Sequence, residues 1–227
     1  MFFKMFHRTR ESKGFTLVEM IGVIAIIAIL ISLLLPKIFQ LIASAKARSL
    51  AAATRTYETS ITRYYADVGT IYPLDATGVA ATEATGDSAT ATSLAARLTL
   101  DASDPLNTGA AQWIRFRGPY LEKFNSQNPP GLGTTMYIPA VPSVAFATAT
   151  TASNIGWDLK GDDGLSDIPT ASRVAYLRVD GISDAEFGEV DTMIDPGIGA
   201  TVADRELRGR VKYDNAADSL YIYLGHQ

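Results

Sequence analysis

KGFTLVEMIGVIAIIAILISLLLPK, residues 13–37, sets one acid, Glu19, into what otherwise reads as a membrane span. Its 21 mostly apolar residues, 15–35, make about 32 Å of helix at about 1.5 Å per residue. That is enough to cross a bilayer core of about 30 Å. A carboxylate at the centre of such a layer costs about 2.5 to 3.5 kcal/mol even on the lenient insertion scale, so an intramembrane acid marks function by default. Glu19 therefore needs a partner.

Upstream, MFFKMFHRTRESKG, residues 1–14, carries Lys4, Arg8, Arg10 and Lys13 against Glu11 alone. A secretory signal would place its apolar core before a small-residue cleavage site; here the basic, polar stretch comes first and no A-x-A site follows the span. The span is thus expected to stay in the mature protein, with the basic head on the cytoplasmic side. Downstream, Pro36 removes a backbone donor and crowds the preceding turn, so a kink or local loosening is expected there, with Gly22 as a second soft point. Leu50, Tyr57, Ile61, Tyr64, Tyr65 and Val68 then form one helical stripe, with Arg48, Arg55, Glu58, Arg63 and Asp67 on the other faces and Arg63 and Asp67 at i, i+4 spacing. One helix from about residue 15 to about 66 is expected, about 75 to 80 Å long if continuous.

The 227 residues are 47% hydrophobic, enough for a real core. No cysteine is present, which excludes disulfides and thiolate metal sites. The net charge of −4 hides the basic leader; without it 16 bases face 23 acids, which argues against nucleic acid as a partner. His7 and His226 lie at the two ends of the sequence, and neither a thiol, a G-x-S-x-G elbow nor a P-loop lysine is present. No enzyme is expected.

Gly14-Phe15-Thr16-Leu17-Val18-Glu19, behind a short basic leader and ahead of an apolar run and Pro36, resembles the processing site of type IV prepilins and type II secretion pseudopilins. The resemblance implies cleavage by a prepilin peptidase after Gly14 and methylation of the new amino terminus on Phe15. Physically, cleavage creates a cation that Glu19 can meet. Within one helix, i to i+4 spacing puts the two on one face. In a staggered stack of parallel helices Glu19 of an incoming subunit instead meets the Phe15 amine of its neighbour, and the resemblance implies this second pairing. The bland alternative is an uncleaved anchor whose Glu19 faces some other polar group or snorkels to the interface.

Two further stretches carry the resemblance toward major pseudopilins. RYYADVGTIYPLD, residues 63–75, is similar to the end of their long helix, with Gly69 as C-terminal cap and Pro73 as stop. WIRFRGPYLEKF, residues 113–124, is similar to the segment leading into their sheet. Between them residues 76–92, rich in Ala, Thr and Gly, read as an exposed loop, and residues 93–100 as a short helix. After residue 124 the period changes to two. Strands are expected at 135–141, 144–149, 173–179, 210–213 and 220–224, the last two forming a hairpin around 214–218 that joins Val211 and Tyr213 to Tyr221 and Tyr223. Ile182, Phe187, Val190 and Ile194 mark a short amphipathic helix between 183 and 197, its acids mostly solvated. Asp191 and Asp195 are weak candidates for a cation.

LKGDDGLSDI, residues 159–168, gathers Asp162, Asp163 and Asp167 around two glycines. Carboxylates and carbonyls in such a turn suit calcium, although the spacing is not that of an EF-hand, and an acidic glycine turn is equally a solvated loop. Its location resembles the calcium-binding loop of major pseudopilins, whose Asp-Pro-Trp-Gly element is here the divergent PPGLG, residues 129–133.

The expected architecture is α+β, pilin-like: a leader (1–14), a membrane and filament-core helix (15–36), the amphipathic half of that helix (37–68), and a head (69–227) on a mostly antiparallel sheet, with loops at 76–92 and 156–170. The resemblance implies a structural subunit of a type II secretion pseudopilus that waits in the inner membrane with its head in the periplasm. It would homopolymerise through its apolar helices, with other pseudopilins and an inner-membrane assembly platform as partners. A type IV pilin of a surface pilus, for adhesion, motility or DNA uptake, is the alternative.

Overall fold

A computed structural model describes residues 14–74, 93–103, 113–126, 131–142, 157–162, 167–169, 172–198 and 208–227. The expected strand at 144–149, the loop at 76–92 and Asp163 lie outside the described residues. The chain divides into two compact units, Met1–Ile42 and Ala43–Gln227.

Helix α1, Leu17–Val68, contains Pro36 within a single helical assignment. It is long and apolar enough near its start to cross a membrane, by length and composition, and none of that window is buried. In the second unit its stripe is buried as the spacing predicts: Leu50, Tyr57, Ile61, Tyr64 and Val68, joined by Ala47. Tyr65 is the exception at 42% exposed, because an i+1 neighbour of Tyr64 points about 100° away from the core line. Gly69, at φ +82°, ends the helix in the left-handed conformation.

The stretches around the helix end pack on one another. Tyr64 donates its hydroxyl to the Tyr72 carbonyl at 3.0 Å and accepts the Leu74 N–H at 3.1 Å. Phe116 and Tyr120 meet the Tyr64 ring edge-on at 6.3 and 5.7 Å, and Trp113 meets Phe116 at 5.1 Å. Asp67 accepts from the Tyr120 hydroxyl at 2.8 Å, so the acid expected to pair with Arg63 is committed instead to the segment it packs against. Helix α2, Leu94–Thr99, is capped by Ser93, and its buried Arg97 donates to the Leu74 carbonyl at 2.5 Å.

Among the described residues, five antiparallel strands form the sheet: β1 (Thr135–Tyr137), β2 (Ala140–Pro142), β3 (Arg173–Asp180), β4 (Val211–Asp214) and β5 (Ser219–His226). The order is β1-β3-β5-β4, with β2 also on β3. The single strand expected at 135–141 is thus two short ones in tandem along one edge, since Ile138 and Pro139 interrupt the ladder and proline has no N–H to give it. The hairpin forms as expected, but in a register that sets Val211 opposite Ile222 and Tyr213 opposite Leu220. Alternation then sends Val211, Tyr213, Leu220 and Ile222 to the face shared with α1, and Lys212 and Tyr221 to the other. That second face is covered by Trp157 and Ile168, with Tyr176 and Tyr223 beside them.

Helix α3, Asp184–Ile194, starts at a capping box in which Ser183 and Glu186 bond reciprocally. Phe187 and Val190 enter the core, and Phe187 stacks on Tyr213 at 4.8 Å.

Candidate functional site: the start of the membrane helix

Leu17 is the first helical residue, so Thr16 stands at the N-cap and Glu19 at N3. The Thr16 N–H and hydroxyl both donate to Glu19 Oε2 at 2.8 Å, and the Glu19 N–H donates to Thr16 Oγ1 at 3.2 Å. This is a capping box, T-x-x-E, which satisfies orphan amides at the helix start. The sequence carries its signature, yet the reading above gave Glu19 only an electrostatic role. Its consequence is geometric: the carboxylate is held at the helix start by two bonds to Oε2. Phe15 precedes the cap and is 81% exposed. It therefore does not share a helical face with Glu19: the i, i+4 relation requires the helix to include Phe15, and it starts at Leu17. Gly14 is exposed, and a Cβ at Gly14 or Gly22 would meet nothing within 4 Å.

In the aspartate loop, Asp162 and Asp167 are among the described residues. Asp167 accepts the Lys160 ammonium at 2.5 Å on Oδ1 and the Lys160 N–H at 2.9 Å on Oδ2. Those two bonds hold its carboxyl below the usual range. Asp162 is exposed. Among the described residues no group of three or more acids or histidines converges as a metal site would require. Lys160 thus bonds both carboxylate oxygens of Asp167. Asp158, in the same turn, accepts the Gly161 N–H at 2.7 Å and lies 3.9 Å from Arg208 Nε.

Asp191 and Asp195 are buried, at 2% and 4% exposure, in contrast to the solvated acids expected of α3. Asp195 accepts the Arg210 and Val211 N–H groups at 2.5 and 2.7 Å, so its carboxylate ties α3 to the start of β4. Burial pushes its carboxyl up, partly offset by those two amides.

Residues 9–35 match the model of the prokaryotic N-terminal methylation motif. That motif is characteristic of type IV pilins and pseudopilins, and this chain carries it. No curated protein matches the chain, and no solved structure does. The architecture is pilin-like: a long amino-terminal helix, apolar at its start, and a small antiparallel sheet. The motif in general implies processing by prepilin peptidase and polymerisation into structural subunits, and the apolar helix fits the membrane anchoring that pilins use.

Proposed function

We propose that the chain is a pseudopilin of a type II protein secretion system, most like the major subunit. It is cut after Gly14, methylated on Phe15 and polymerised from the inner membrane into a periplasmic filament, with accessory pseudopilins and an assembly platform as partners. The observation that carries this reading is the capping box inside the methylation motif. It fixes Glu19 at the helix start, where the Phe15 amine of a neighbouring copy can neutralise it in the low-dielectric layer. An unpaired charge in that layer becomes a reason to assemble. The similarities at 63–75 and 113–124 and the lack of cysteines favour the secretion branch over a surface pilus.

Mass spectrometry of the mature chain tests the first step, with a methylated Phe15 as the expected terminus; an intact leader removes the reading. Glu19→Ala should leave cleavage intact and abolish filaments. Long surface fibres that vanish on deletion of this gene would instead establish the pilus reading. Calcium at Asp162, Asp163 and Asp167 belongs to this proposal. The ion must displace the Lys160 ammonium from Asp167, so Lys160→Met should tighten calcium binding. A melting transition of the full chain that does not move with chelator removes the site.

A further inference from the structure

A groove of about 250 Å3 runs between the amphipathic half of α1 and the far end of α3, lined by Arg48, Arg55, Glu58, Met193, Ile194 and Arg210. Ala51 and Ala52 form its α1 wall between the two arginines, which keeps it open. Arg48 and Arg55 are seven residues apart, hence on one face and about 10.5 Å apart along the axis. Both are exposed, and no carboxylate among the described residues forms an ion pair with either. Arg210 is held by Glu58. The groove is therefore a cationic strip on a unit, residues 43–227, whose 15 bases face 22 acids.

The opposite end of α3 has the opposite sign. Asp184 and Asp218 are exposed and Glu186 sits in the capping box, and the Ile182 N–H bonded to the Asp218 carbonyl at 3.0 Å ties this acidic corner to the hairpin tip. Eleven residues of helix separate it by about 16 Å from Ile194 in the groove. One copy thus cannot fill its own groove with this corner, but it can fill another's.

We propose that the Arg48/Arg55 groove is the docking site for the acidic α3 corner, Asp184, Glu186 and Asp218, of a second copy of this chain. Because donor and acceptor patches are different surfaces, the contact is heterologous and repeats without closing, as a filament requires. The assembly reading above supplies the setting, but the contact is carried by these charges alone. It predicts contacts between successive copies that weaken with salt, since both partners are exposed.

The absence of native cysteine makes the test clean. In full-length chain assembled in cells, the double variant Arg55→Cys with Asp184→Cys should give an oxidation-dependent ladder of dimers, trimers and higher species. Mixed single variants should give dimers only. Independently, Arg48→Glu with Arg55→Glu should lower filament yield by at least about tenfold, and adding Asp184→Lys should restore much of it. Absence of a ladder above the single variants, normal assembly of the charge-reversed chain, or no rescue by Asp184→Lys overturns the proposal. Should the wild type form no filament, the assembly reading fails by itself. The groove is then decided by the same cysteine pair in concentrated, detergent-solubilised chain, where a ladder upholds it and monomer ends it.

Discussion

Lys212 is 2% exposed, with its ammonium 5.1 Å over the Trp157 ring and Asp158 nearby. Burial pushes its pKa down to about 7, with the Asp158 carboxylate offsetting part of the shift. The unfolded chain holds this proton up to about pH 10.5, so between about 7 and 10.5 unfolding takes up a proton. Stability contributed here rises with pH through that window, by up to about 1.4 kcal/mol per unit, and is lowest below 7, where the charged amine must be buried. Melts of the full chain in detergent at pH 6.5 and 9 should show this rise, and Lys212→Met should flatten it without loss of fold. Asp195 is the second residue of this kind. Asp195→Ala leaves the Arg210 and Val211 amides without their acceptor and should cost about 2 to 3 kcal/mol in denaturant unfolding, whereas Asp195→Asn, keeping one acceptor, should cost less. Gly209 makes the same point from the other side. At φ +84°, with a Cβ position 2.5 Å from Asp195 Oδ2, it admits no side chain while that carboxylate holds β4.

At the level of elements, α1 is one helix under two sets of constraints. Its start is capped by Thr16 and Glu19, so Thr16→Val should cost about 1 kcal/mol of local helix stability, read as faster amide exchange at residues 17–20 in detergent, while Thr16→Ser should not. Its far half is held by packing. Tyr64→Phe keeps the ring contacts but strands the Leu74 N–H, and should lower the unfolding free energy by about 1 to 3 kcal/mol. The sheet end of this lock is Gln227, whose side chain accepts the Ile71 N–H at 3.0 Å and donates to the Gly69 carbonyl at 3.2 Å. Its backbone exchanges two 2.9 Å bonds with Arg173 of β3. The turn after α1 is thereby bonded to the sheet it leads toward.

For the whole molecule, the two units differ in the surface they present. The first exposes nearly every large apolar residue from Leu17 to Ile42, a surface that calls for lipid or for copies of itself. The second is acidic, with a continuous core and a basic groove. Variants in the two should therefore separate: Glu19→Ala blocks assembly at the membrane helix, while Arg48→Glu with Arg55→Glu leaves processing and insertion intact and acts on head order. A chain with both changes should behave as Glu19→Ala alone in a filament assay.

The apolar run, the GFTLVE site, the buried stripe on α1 and the period-two strands were readable from the sequence, because helix and strand periodicity and the length of a bilayer span are local properties of the chain. Even Thr16-x-x-Glu19 was written there as a capping signature. What the sequence could not decide was partnership across distance. Lys160 took Asp167, Tyr120 took Asp67, and Asp195 left solvent to cap β4. The hairpin register sent Lys212 under Trp157. A polar group's role depends on which donor or acceptor the fold delivers to within about 3 Å, and only the tertiary structure sets that distance.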